Sequence, residues 1–174
     1  MDFELTDEQR MFQETARQFA DKEIAPIAEK VDEQGQFPHE TILQLGALGF
    51  MGIGVPQEHG GAGADTVCYV VALEEISRAC ASHGVIMTVN NSLYCDPLVR
   101  FGTEEQKRRF LVPVASGKTI GCFCLSEPNA GSDAANQEAT ARREGDFYVL
   151  NGTKNFVTNG AEAEYAIVFA TVSK

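Results

Sequence analysis

Apolar residues recur every three or four positions through the first two thirds of the chain and every two positions in the last third. Phe12, Ala16, Phe19, Ala20, Ile24, Ile27 and Val31 form the first stripe, behind a Thr6-Asp7-Glu8-Gln9 start in which hydroxyl and amide side chains can satisfy free backbone groups reciprocally. The pattern predicts one long amphipathic helix, kinked at Pro26 and ended by Gln34-Gly35-Gln36, with Phe37-Pro38 opening a second helix to about Gly46. Its charged side mixes acids and bases, which points to packing rather than to a lipid-binding face. Six glycines and Pro56 between Gly49 and Gly63 predict an irregular connector between helices, without the Lys-Ser/Thr ending of a phosphate loop.

Asp65 or Thr66 caps the next helix, expected to about Ala81, with Val67, Val70, Val71 and the pair Glu74 and Glu75 defining its inner and outer faces. The two glutamates are read as solvated, because adjacent carboxylates on a helix point about 100° apart and cannot serve one substrate atom. The nearly uncharged run from Val85 to Val99 predicts a helix buried on most sides that floors a pocket, with Asn90, Asn91 and Ser92 as satisfied core hydrogen bonders. Thr103-Glu104-Glu105-Gln106 repeats the capping pattern ahead of a short charged helix, closed by Pro113 and Ser116-Gly117.

At Lys118 the period changes. Residues 120–125, 137–143, 147–155 and 164–172 read as strands, the second and third joined by a hairpin at Glu144-Gly145-Asp146. A second Asn-Gly turn at Asn151-Gly152 leads through a short strand to Asn159-Gly160. Helices followed by strands give an α+β chain: an all-helical domain over residues 1–118, then the beginning of an antiparallel β-barrel over residues 119–174. So few strands cannot close a barrel, and a sheet ending in Thr171-Val172-Ser173-Lys174 has open edges; a fragment of a longer product is therefore expected.

Composition narrows the function classes. Hydrophobic residues make up 44% and charged residues 22%, ordinary for a globular protein, and a net charge of −11 argues against a nucleic-acid partner. No apolar run reaches membrane-spanning length, so no membrane insertion is expected. Cys68, Cys80, Cys95, Cys122 and Cys124 are odd in number and lack zinc or dithiol spacing, so they read as reduced core residues and no metal is expected. The start Met1-Asp2-Phe3-Glu4-Leu5 carries no signal or transit pattern, giving an expectation of a cytoplasmic location.

The candidate chemistry lies in Gly121-Cys122-Phe123-Cys124-Leu125-Ser126-Glu127-Pro128-Asn129-Ala130-Gly131-Ser132-Asp133, where an apolar strand becomes a loop of small polar residues. Ser126, Ser132 and free amides are expected to point into one concavity. Gly131 lets the backbone approach a ligand, and successive amides in a turn favour an anion such as a pyrophosphate; an ordinary strand-to-loop turn has the same composition. Together with Phe156-Val157-Thr158-Asn159-Gly160, the run Cys124 to Asp133 resembles the acyl-CoA dehydrogenases. The likeness extends to Leu5-Thr6-Asp7-Glu8-Gln9, to Val55-Pro56-Gln57-Glu58-His59-Gly60-Gly61-Ala62-Gly63 and to Phe101-Gly102-Thr103-Glu104-Glu105-Gln106-Lys107, and so spans the whole chain.

That resemblance implies an FAD enzyme that desaturates an acyl-CoA thioester, passes electrons to an electron-transfer flavoprotein and is a homotetramer. It implies Phe123, Leu125 and Ser126 against the isoalloxazine, Gly131 and Ser132 near the pyrophosphate and the CoA part of the substrate, and Phe156, Val157 and Thr158 over the other edge. Thr158 would donate to flavin N5. The base is a glutamate of the family's C-terminal helical domain, which this sequence lacks, so no residue here is assigned as catalytic; Glu127 is read as structural. Family members often carry tryptophan where Phe156 stands and tyrosine where Phe123 stands, so ring stacking survives and indole and phenol hydrogen bonds do not. The segments Asn90-Asn91-Ser92-Leu93-Tyr94 and Leu150-Asn151-Gly152-Thr153-Lys154 look most like the short-chain, butyryl-CoA type. Two other readings stay open: an acyl-CoA oxidase or flavin monooxygenase on the same scaffold, and a non-catalytic module that binds flavin nucleotide or a partner chain.

Overall fold

The computed structural model describes residues 3–172. Met1 and Asp2, and the Ser173-Lys174 end of the expected open edge, lie outside the described residues. Helix α1 (Asp7–Phe19) starts as its sequence predicts: the Thr6 hydroxyl accepts from the Gln9 amide at 3.2 Å, and Gln9 Oε1 accepts from the Thr6 amide at 3.0 Å. The stripe continues past α1 through a π-helical turn (Ala20–Ile24) and a 3₁₀ turn (Ala25–Ile27) that accommodate Pro26, into α2 (Ala28–Gln34). Gly35, at φ +58°, ends it in the left-handed conformation. Helix α3 (His39–Ala47) follows, then the glycine-rich connector with a single 3₁₀ turn at Gln57–His59.

Helix α4 (Thr66–Ala79) is capped by Asp65, whose carboxylate accepts from the Cys68 amide at 2.7 Å. Its faces differ from the expectation. Val67 and Val70 are exposed, while Cys68, Ala72 and Ile76 are fully buried. Glu74 is exposed but Glu75 is buried at 4%, because α1 packs on α4 and brings Arg17 across: Arg17 Nη2 donates to Glu75 Oε1 at 2.6 Å, and Arg78 Nε donates to Oε2 at 3.2 Å. A carboxylate needs neighbouring donors to be buried at this small cost, and one of those donors lies 58 residues away in sequence.

The uncharged run folds as α5 (Ala81–Thr88), a π-helical segment (Val89–Cys95) and α6 (Asp96–Phe101). It is buried on most sides as far as Val99, with Val85 and Leu93 exposed, and Phe101 at its end is exposed as well. Asn90 and Asn91 act as core connectors. Asn91 Oδ1 accepts from the Ile53 amide at 2.8 Å and its amino group donates to the Phe50 and Met87 carbonyls; Asn90 Nδ2 donates to the Met51 carbonyl at 2.7 Å. Ser92 donates to the Thr88 carbonyl at 2.8 Å. Helix α7 (Glu104–Gln106), the π segment Lys107–Leu111 and α8 (Val112–Ala115) complete the helical part, and Thr103 forms the expected cap with Gln106. No helix of the described residues is long and apolar enough to cross a membrane.

Among the described residues four short strands follow. β2 (Thr140–Glu144) and β3 (Phe147–Asn151) form the expected antiparallel hairpin, with Gly145 at φ +61° in the turn. β1 (Gly121–Cys124) pairs in parallel with β4 (Tyr165–Val168), Gly121 opposite Tyr165 and Cys124 opposite Val168, so this part of the sheet is not antiparallel. Residues 125–164 return the chain to the end of β1 at which it started, the long crossover that a parallel pair requires. Thr171 joins the two pairs: its carbonyl accepts from the Ala141 amide at 2.9 Å and its amide donates to the Ala139 carbonyl at 2.8 Å. β3 stops at Asn151, and residues 152–160 are irregular rather than a turn and a short strand. They are organised by long-range contacts instead.

Candidate functional site

β1 packs against the π segment Val89–Cys95, and Gly121 permits it: a Cβ there would lie 2.2 Å from Cγ of the buried Tyr94 ring. The Gly121 amide donates to Asn90 Oδ1 at 3.0 Å, so the helical core fixes where the strand begins. Phe123 meets the Phe169 ring at 5.2 Å between centroids, and Phe123, Leu125 and Ser126 are half-buried.

Beyond Ser126 the chain turns tightly. The Glu127 amide donates to the Ala130 carbonyl at 2.8 Å, and the Ala130 amide donates back to the Glu127 carbonyl at 3.2 Å, around exposed Pro128 and Asn129. Glu127 itself is buried at 7% and is structural, as expected. Its carboxylate accepts from Lys154 Nζ at 2.7 Å, from the Glu138 amide at 2.5 Å and from the Ala139 amide at 3.0 Å. Lys154 first, then these amides, hold the carboxyl down at about 2. Such a group is a poor proton acceptor near neutral pH. Gly131 and Ser132 lie on the exposed turn that follows, where a Cβ on Gly131 would meet nothing within 4 Å. The amides of Gly131, Ser132 and Asp133 meet no protein acceptor among the described residues.

The second stretch runs alongside. The Asn155 amide donates to the Ser126 carbonyl at 2.8 Å, bringing Phe156, Val157 and Thr158 beside the end of β1. Phe156 is 95% exposed and sits at φ +54°, a left-handed angle that costs a phenylalanine on the order of 1–3 kcal/mol. Asn159, at φ +66°, is buried and donates to the Gly121 carbonyl at 3.2 Å and the Ile86 carbonyl at 3.4 Å, which anchors the turn to both β1 and α5. Thr158 is half-buried and faces a shallow groove of about 350 Å³ shared with Phe37, Ala81, Ser82, Val85, Ile86 and Asn159.

The Asn155–Ser126 bond sets the two stretches next to each other, while Gly131 and Ser132 stand on an exposed turn rather than in an enclosed concavity. Sequence reasoning passed over Lys154 and Asn159 as site builders. Each lies in the motif, but its partners come from segments far away in the chain. The donor set fits a planar ring with an anionic tail: a presented phenyl face at Phe156, a hydroxyl at Thr158, and open amides with a hydroxyl at residues 131–133. Among the described residues no three or more His, Cys, Asp or Glu are placed to hold a metal ion.

Comparison with known proteins extends this. The chain is 52% identical over 171 residues to the human mitochondrial short-chain specific acyl-CoA dehydrogenase, covering 98% of this chain and 42% of that protein. It superposes on butyryl-CoA dehydrogenase from Megasphaera elsdenii with a TM-score of 0.95 at 40% identity, covering all of this chain and 46% of the other. On a glutaryl-CoA dehydrogenase from Mycobacterium smegmatis in complex with FADH2 the TM-score is 0.92 at 36% identity, covering 97% of this chain and 44% of the other. The chain therefore spans less than half the length of the relatives it matches. The acyl-CoA dehydrogenase N-terminal domain matches residues 6–118 and the middle domain of the same enzymes matches residues 122–174, so the chain belongs to the acyl-CoA dehydrogenase family.

Proposed function

We propose that the protein is an FAD-dependent acyl-CoA dehydrogenase acting on a short-chain acyl-CoA, and that residues 1–174 supply a helical domain to about residue 118, the start of the sheet domain and part of the flavin site. Bound FAD supplies the hydride acceptor. Phe123, Leu125 and Ser126 lie against its ring system, Phe156 and Val157 cover the other edge, and Gly131 and Ser132 receive the pyrophosphate, with Ser132 also contacting the CoA part of the substrate. Thr158 would offer its hydroxyl as a donor to flavin N5.

The observation that carries this reading is the hydrogen bond from the Asn155 amide to the Ser126 carbonyl, which sets two motif stretches side by side on an otherwise irregular segment. The two amide bonds and the lysine partner of Glu127 speak against it as the base, and the proposal assigns proton abstraction to another residue. An electron-transfer flavoprotein as acceptor and a homotetrameric assembly complete the proposal.

Replacing Thr158 with Ala in the full-length gene product tests it. Anaerobic reduction of the flavin by butyryl-CoA should slow by roughly tenfold to a hundredfold, with FAD content and thermal unfolding nearly unchanged. Reduction at the parental rate removes Thr158 from the assignment. A purified protein without flavin absorbance removes the FAD reading itself.

A further inference from the structure

Lys154 is largely buried, with only 10% of its side chain exposed, and all three of its protons are used. They go to Glu127 Oε1 at 2.7 Å, the Leu125 carbonyl at 2.9 Å and Gln137 Oε1 at 3.2 Å. Glu127 is satisfied in turn by the Glu138 and Ala139 amides. One ammonium therefore ties together the end of β1, the approach to β2 and the segment after β3. A buried ion pair is a poor source of net stability, since desolvating two charges offsets most of their attraction. Its geometry is the more informative property.

The bond to Leu125 fixes a peptide plane. In a trans peptide the carbonyl and the following N–H point in opposite directions, so a Leu125 oxygen held toward Lys154 turns the Ser126 N–H away from it. That N–H has no protein acceptor among the described residues, whereas the Ser126 carbonyl is taken by Asn155. We infer that Lys154 is a positioning residue: through the Leu125 carbonyl and Glu127 it aims the Ser126 amide into the site as a donor to an electron-rich edge of the bound ring. This rests on the flavin reading proposed above. The ligand chemistry required is a polar acceptor on a planar heterocycle, and the charge of Lys154 itself stays behind the wall.

Three variants of the full-length gene product bear on it. Lys154→Met removes every bond but strands a buried carboxylate, which endangers folding. Glu127→Gln/Lys154→Met leaves no buried charge and still deprives the Leu125 carbonyl of its donor. For this pair we expect thermal unfolding near that of the parent, a dissociation constant for FAD raised at least about tenfold, and a lower reduction potential of the bound flavin. Hydrogen exchange without FAD should quicken at least about tenfold in residues 123–133 and remain unchanged in the helices. Lys154→Arg, which keeps the charge but not the compact three-way donor, should not restore the parental potential. Parental exchange in residues 123–133 overturns the positioning role whether or not flavin binds. Faster exchange with unchanged FAD affinity and potential overturns the aim at the ring. Faster exchange in the pair together with a parent protein that binds no FAD overturns the flavin reading and leaves Ser126 with no ligand to serve, which ends this inference too.

Discussion

His83 offers the sharpest quantitative test of the helical core. It is fully buried on α5, and its Nε2 lies 2.7 Å from Thr41 Oγ1 on α3. The Thr41 hydroxyl donates to the Pro38 carbonyl at 3.1 Å, so toward the imidazole it accepts, which assigns the proton to Nε2. Nδ1 is buried with no partner, and a second proton there would be a charged donor without an acceptor. Burial accordingly pushes the imidazole from 6.5 down to about 4. Because the folded value is the lower one, the unfolded chain binds more protons between these limits. Stability is then complete above about pH 6.5 and is lost as the pH falls toward about 4. Between pH 7 and pH 5 this single group removes about 2 kcal/mol. Urea unfolding of the parent and of His83→Gln at both pH values isolates the term, since carboxylates contribute equally to both proteins. The parent should lose about 2 kcal/mol more than the variant on going from pH 7 to pH 5. An equal loss in both would refute a neutral, buried His83.

Other outcomes follow from contacts described above. Gly121→Ala should cost about 1–3 kcal/mol in thermal unfolding, because the new methyl meets the Tyr94 ring and must displace β1 or the π segment. Glu75→Gln should cost about 1–3 kcal/mol and loosen α1 from α4, read as faster hydrogen exchange confined to those two helices, since two charge-assisted bonds weaken at a buried site.

Much of the helical part was legible because its signals are local. The Thr6 and Thr103 caps, the Pro26 irregularity and the Gly35 stop each depend on residues within one turn, and the structure reproduces them. The buried role of Asn90 and Asn91 was legible for a related reason: polar residues in an uncharged run must find partners inside. The face of α4 was misread because a periodic pattern identifies stripes but not which donors approach them, and Glu75 is buried only because Arg17 arrives from another helix.

The sheet part shows the same division more strongly. The approximate place of each strand and the Glu144-Gly145-Asp146 hairpin follow from alternation and turn chemistry, so residue order alone determined them. The parallel partner of β1, the irregular path after Asn151, the left-handed Phe156 and the Lys154–Glu127 clamp were decided by tertiary structure. Each depends on groups brought together across tens of residues, and a linear pattern holds no record of which distant donor will meet which acceptor once the core has closed around them.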